Sequence, residues 1–211
     1  MELNRESMRL YAVTAETHDR EALLKQVAAA IDGGARIVQL REKELKGEAL
    51  LALARRFADL CREKGAISII NDDVTICRDS GADGVHLGQG DMDARQARAV
   101  LGPDKLIGVS AHNVEEALRA EANGADYLGS GAAFVTGTKT DAKPIDHETY
   151  RAITGAVSIP VVAIGGITGE NMSELAGRGL AGAAVVSAIF GKEDVYTAAC
   201  ELRKLADALF D

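Results

Sequence analysis

The chain has no tryptophan, and aromatic residues make up only 4% of its 211 positions. Basic residues are also in deficit: 24 Lys and Arg stand against 32 Asp and Glu, for a formal net charge of −8. That balance argues against a general nucleic-acid binder, which needs a basic face over the phosphate backbone. It leaves room for a local basic pocket around a small anion. Cysteine is sparse: Cys61, Cys77 and Cys200 are odd in number and lack CxxC spacing. A disulfide scaffold or zinc site is therefore not expected, the thiols read as helix packing, and a reducing cytoplasm is the expected compartment. No apolar run approaches transmembrane length and the first residues hold no apolar signal core, so no membrane association is expected.

What is abundant is small and aliphatic. Apolar residues are 47% of the chain, with Ala, Val, Ile, Leu and Gly dominant, and such residues let helices lie close on a sheet. One domain spanning 1–211 is expected at this length. Short apolar runs at Leu10–Val13, Arg36–Leu40, Ile67–Ile70, Gly84–Leu87, Leu106–Val109, Tyr127–Gly129, Val161–Ile164 and Gly182–Val186 read as strands. They are continuous rather than alternating, as expected for strands covered on both faces. Helical spacing falls between them, for instance Leu23, Val27 and Ile31, or Leu50, Leu53, Ala54 and Phe57. Further helices are expected at 74–80, 93–100, 113–122, 147–153, 170–176 and 195–209. Eight alternations point to an α/β fold, a parallel TIM (β/α)8 barrel. An open doubly wound sheet is the alternative, weakened because no GxGxxG follows the first strand.

A weak repeat marks the helix-to-strand junctions. Ser80-Gly81-Ala82-Asp83 resembles Asn123-Gly124-Ala125-Asp126, with looser cousins at Asp32–Ile37 and Gly177–Gly182. The Gly of each suits a left-handed helix end.

In a parallel barrel, ligands sit where the strands end. The third strand ends abruptly in Asn71-Asp72-Asp73. Either acid could instead cap the next helix. Other strand ends supply Gln39, Arg41, Lys43, Gln89, Asp91, Ser110, His112, Thr136, Thr138, Lys139, Gly165, Gly166 and Ser187. Arg41, Lys43 and Lys139 with Asp72 and Asp91 suit a Mg²⁺-bridged diphosphate, because the metal joins carboxylate and phosphate oxygens. The Gly165-Gly166 turn and Val185-Val186-Ser187 suit a second phosphate. Two phosphate sites imply two phosphorylated small-molecule substrates and a transferase. Arg41-Glu42-Lys43 could equally be a solvated turn, Gly165-Gly166 only a tight turn, and His86 a packed core histidine. His112 reads as structural or exposed, and His18 and His147 as surface residues. No Ser-His-Asp arrangement is visible.

At these residues the chain resembles the thiamine phosphate synthase family. The matching segments are Gln39–Lys43, Asn71–Asp73, His86–Asp91, Gly108–His112, Thr136–Lys139 and Ile164–Ile167. The resemblance implies a TIM barrel that joins a hydroxymethylpyrimidine diphosphate to a thiazole phosphate, giving thiamine phosphate and diphosphate. It assigns Gln39, Arg41, Lys43, Asn71, Ser110 and Lys139 to the pyrimidine diphosphate, and Asp72 and Asp91 to Mg²⁺. Thr136, Thr138, Gly166, Val186 and Ser187 fall to the thiazole phosphate. It also implies a dissociative displacement, with charge on the leaving diphosphate met by the metal, Arg41, Lys43, Ser110 and Lys139. The chain departs from the family at Val135, where Pro is frequent, at Gly137, where a larger or polar residue is, and at Gly90, where an acid is. The loop 130–146 is expected to close over substrates and exclude water. A thiazole tautomerase-like paralogue would not need the cations or the paired acids, and a barrel that only binds a phosphorylated thiazole should have lost some of them. Oligomeric state is not written in these patterns, and a homo-oligomer is compatible with them.

Overall fold

The computed structural model describes residues 3–136 and 144–210. Eight parallel strands close into a barrel in sequence order, the last pairing with the first. They are β1 (Leu10–Val13), β2 (Ile37–Leu40), β3 (Ile67–Asn71), β4 (Gly84–Leu87), β5 (Leu106–Ala111), β6 (Tyr127–Ser130), β7 (Val161–Ile164) and β8 (Gly182–Val185). Around them lie α1 (Arg5–Met8), α2 (Arg20–Asp32), α3 (Gly47–Glu63), α4 (Val74–Ser80), α5 (Ala94–Leu101), α6 (Val114–Ala122), α7 (His147–Ala156), α8 (Ser187–Phe190) and α9 (Val195–Leu209). Among the described residues no helix is long and apolar enough to cross a membrane.

The departures from the expected elements are local, and α1 and α8 are additional helices of four residues each. The segment 170–176 forms only a 3₁₀ turn, Met172–Leu175. The Asn171 side chain ties the loop down, accepting from Thr168 N–H and donating to the Gly166 carbonyl. Gly177 then takes a positive φ, so no α-helix propagates. Strand β5 runs two residues further than expected, because Ser110 and Ala111 pair with Gly129 and Ser130.

The strands divide the apolar residues by parity. Outward-facing Ala12, Val38, Leu40, Ile70, Val85, Ile107 and Leu128 join the helices in one buried layer. Inward-facing Tyr11, Val13, Ile37, Ile67, Ile69, Tyr127, Val162 and Ala184 fill the barrel. The two tyrosines are large for a barrel this narrow. Room comes from Gly108, where an added Cβ would overlap the Tyr127 ring. Acidic residues open most helices: Asp19, Asp73, Asp93, Asp146 and Asp194 each accept from an N–H of the first turn. Such caps stabilise a helix by about 1 kcal/mol. The junction repeat also has a structural meaning. Gly81 and Gly124 are left-handed, at φ 77° and 89°. Asp83 then accepts from the Ser68 N–H, and Asp126 from the Ile107 N–H, at the N-terminal ends of β3 and β5.

Candidate active site

The C-terminal ends of the strands surround a cavity of about 480 Å³, a volume suited to small ligands. Of the strand-end residues nominated from the sequence, Gln39, Arg41, Lys43, Asn71, Asp72, Asp91, Ser110, Thr136, Gly166, Val186 and Ser187 line it, and Asp73 does not. Thr138 and Lys139 lie outside the described residues, as do Gly137 and the part of the 130–146 loop on which closure was expected.

Strand β2 delivers the cations. Thr14, wholly buried, accepts the Arg41 backbone N–H at 2.9 Å and so fixes where the β2 loop begins. Glu42 then accepts from the backbone N–H groups of Glu44 and Leu45 and pairs with Arg20 at 2.9 Å. The segment is thus a braced loop rather than a solvated turn. It presents Arg41 to Glu16 at 2.8 Å and Lys43 to Asp72 at 2.7 Å. Both basic groups face the cavity with acids already beside them.

The acids after β3 divide their work. Asp73 caps α4, accepting from the Ile76 N–H at 2.9 Å. Asp72 carries on the ladder by donating its N–H to the His86 carbonyl at 2.9 Å. It then turns left-handed at φ 64°, the single non-glycine residue to do so among those described. Asp tolerates that region better than most residues, but the conformation still costs on the order of 1–2 kcal/mol. The turn aims its carboxylate into the mouth. Asp91, on the loop after β4, accepts from the Gly88 N–H at 2.7 Å. Its carboxyl titrates above the usual range because it is desolvated and because Asp72 stands close enough to hydrogen-bond to it.

Two carboxylates brought this close together at one rim make a place for a cation. No cluster of three or more His, Cys, Asp or Glu side chains suited to a metal occurs among the described residues. The pair itself offers hard carboxylate oxygens, donors of the kind Mg²⁺ accepts. Mg²⁺ keeps several waters and is held by one or two carboxylates with substrate phosphates.

The opposite wall belongs to β6, β7 and β8. Gly165 and Gly166 take positive φ values of 100° and 66°. A Cβ at Gly166 would press on the Phe134 and Val135 carbonyls within 3.0 Å. The loop after β6 is laced to this turn, Ala133 N–H donating to the Ile164 carbonyl and Phe134 N–H to the Gly165 carbonyl. The two glycines therefore do more than turn the chain; they let two loops meet backbone to backbone. Beside them Val186 and Ser187 lead into α8. Gly90 lines the mouth with open space around it, so the larger acid common in the resembled family would fit there. Val135, another departure, is 84% exposed.

The histidines sort as follows. His86 is buried inside the barrel, and burial pulls its pKa down to about 4. His112 lines the cavity but its Nδ1 is 2.8 Å from Glu116, which also accepts the His112 N–H. His18 is exposed, whereas His147 is half-buried and meets the Ala133 carbonyl at 3.1 Å. His147 is thus a brace for the β6 loop rather than a surface residue. Sequence reasoning missed Tyr11 and Tyr127 below the cavity, and Glu16 beside Arg41. The tyrosines sit in apolar runs that read as plain strand, and Glu16 in a loop with no pattern. Burial pushes the Cys77 thiol up to about 12 and the Cys61 thiol higher still, in keeping with packing roles.

A family model described as thiamine monophosphate synthase matches residues 10–189. The thiamine-phosphate synthase of Moorella thermoacetica is 46% identical over 198 residues, covering 93% of this chain and 94% of that protein. That of Methanobrevibacter smithii is 41% identical over 202 residues, covering 96% and 97%. A solved thiamine phosphate pyrophosphorylase from Pyrococcus furiosus superposes with a TM-score of 0.89 at 38% identity, covering 98% of this chain and 99% of that one.

Proposed function

The chain belongs to the thiamine monophosphate synthase family, and on that premise we propose how its mouth carries out the reaction, with Asp72 and Asp91 holding Mg²⁺ beside a departing diphosphate. The protein is an enzyme of thiamine biosynthesis that condenses a hydroxymethylpyrimidine diphosphate with a thiazole phosphate. The observation that carries the site assignment is the meeting of Asp72 and Asp91, from two different strand ends, beside Lys43 and Asn71 at one cavity.

When bound, Mg²⁺ supplies charge neutralisation on the leaving diphosphate. Arg41 and Lys43 add hydrogen-bonded positive charge to the same group once Glu16 and Asp72 release them. Both ion pairs are partly open to solvent, so their release costs little, within about 1 kcal/mol each. Gln39, Asn71 and Ser110 orient the pyrimidine diphosphate. Thr136, Gly166, Val186 and Ser187 hold the thiazole phosphate on the facing wall. The methylene–oxygen bond breaks as the diphosphate leaves, and the thiazole nitrogen attacks the methylene carbon. No side chain needs to act as a nucleophile; orientation and preset charge lower the barrier. Thr138 and Lys139 keep their roles by resemblance alone. The three free cysteines suit a reducing cytoplasm.

Asp72→Asn and Asp91→Asn test the assignment, because Asn also tolerates a left-handed backbone. Each should lower Mg²⁺-dependent diphosphate release on the order of 100-fold. Thiazole phosphate affinity, measured by calorimetry, should stay within about threefold. Undiminished release in either variant would remove the metal role from that residue.

A further inference from the structure

Beneath the cavity floor, five polar side chains form an unbroken line across the barrel from β2 to β5. Gln39 donates from Nε2 to the Tyr11 hydroxyl at 3.2 Å. The Tyr11 and Tyr127 hydroxyls are 2.9 Å apart. Tyr127 Oη is 3.2 Å from His86 Nδ1, and His86 Nε2 is 3.1 Å from Ser110 Oγ. Gln39, Tyr11, Tyr127 and His86 are all buried, and only Gln39, His86 and Ser110 of the five line the cavity. The barrel is shaped around this line. A Cβ at Gly108 would overlap the Tyr127 ring and press on His86, and one at Gly129 would press on His86 from the other side.

Each hydroxyl owns one proton, and a neutral imidazole owns one N–H. Leaving a buried proton unpaired costs about 1–3 kcal/mol. Only two arrangements therefore satisfy every link. In one, all protons point from Gln39 towards Ser110: Tyr11 donates to Tyr127, Tyr127 donates to His86 Nδ1, and His86 donates from Nε2 to Ser110 Oγ. The Ser110 proton is then free to enter the cavity. In the other, every arrow reverses and Ser110 spends its proton on His86. The end of the line decides between them. Gln39 turns Nε2, which can only donate, towards Tyr11.

We propose that Tyr11, Tyr127 and His86 are positioning residues that carry a hydrogen-bond polarity from Gln39 to Ser110, so that Ser110 meets the diphosphate substrate as a donor. This deepens the proposed function and rests on its assignment of Ser110 as a ligand of that substrate. A donor is what an anionic oxygen requires, and the three positioning side chains supply it without touching phosphate.

The polarity is readable without substrate. With ¹⁵N-labelled histidine, long-range proton–nitrogen correlation distinguishes the tautomers. The His86 signal is identified by its loss in His86→Gln. The free protein should show His86 protonated on Nε2; a proton on Nδ1 overturns the proposal. Gln39→Glu, studied at pH 8 with the carboxylate ionised, puts an acceptor of the same shape at the head of the line. It should move the His86 proton to Nδ1, two tyrosines away; an unmoved proton also overturns the proposal. Kinetically, Tyr11→Phe and Tyr127→Phe should each raise KM for the pyrimidine diphosphate about tenfold and leave KM for the thiazole phosphate within twofold. Equal effects on both KM values would mark a merely structural role and overturn it. Should Tyr127→Phe not fold, Tyr11→Phe and the tautomer measurement decide. If Ser110→Ala leaves both KM values unchanged while the tautomers behave as stated, the ligand assignment fails and the polarised line stands.

Discussion

Asp72 and Asp73 are chemically identical neighbours, yet backbone geometry sends them to different tasks. Asp73 caps α4 from an extended conformation at φ −93°; Asp72, at φ 64°, faces Lys43 across 2.7 Å. Asp73→Ala should lower unfolding stability by about 1 kcal/mol, seen as a lower denaturation midpoint. Diphosphate release should stay within twofold of the parent. The opposite result, intact stability with lost release, would mean that the two roles are exchanged. Residue type alone could not separate them, because both carry the same carboxylate.

At the scale of elements, the two ends of the barrel divide stability from chemistry. Left-handed Gly81 and Gly124 and the Asp83 and Asp126 carboxylates lie where strands begin, away from the mouth. Asp83 accepts both the N–H and the hydroxyl of buried Ser68, at 2.8 and 2.7 Å. Asp83→Ala leaves that backbone N–H without its carboxylate partner. The cost should be about 1–3 kcal/mol, read by denaturant unfolding, with both KM values unchanged. A shift in KM would show that strain crosses the barrel from one end to the other.

The whole molecule carries an unusual interior, with tyrosines, an imidazole and an amide where aliphatic side chains commonly fill a barrel. Its acid sensitivity follows. In the unfolded chain His86 takes a proton near pH 6.5, whereas in the fold burial, partly offset by the Asp72 charge, delays this to about 4. The stability gained from keeping His86 neutral is complete above about pH 6.5 and is lost as pH falls towards about 4, some ~3 kcal/mol in all. Asp91 acts in the opposite sense. Its carboxyl titrates above the unfolded value, so ionising it costs stability as pH rises through that point. Denaturant unfolding of the parent and of His86→Asn between pH 7 and pH 4 separates the two. The parent should lose stability more steeply, and parallel curves would assign the acid response elsewhere.

The sequence by itself determined the eight-fold alternation and which residues stand at the strand ends. Both are local facts: a strand buried on two faces must be a continuous apolar run, and a polar residue just past it must lie at the rim. Arg41, Lys43, Asn71, Asp72, Asp91, Ser110 and Ser187 were legible in that way, and their convergence follows once eight parallel strands close. Tertiary structure alone decided who meets whom inside. Tyr11 and Tyr127 are 116 positions apart, and His86 and Tyr127 are 41 apart. Period-two patterning shows that a side chain points inward but not what faces it across the barrel. That pairing depends on closure, on strand stagger, and on the glycines that leave space for the rings.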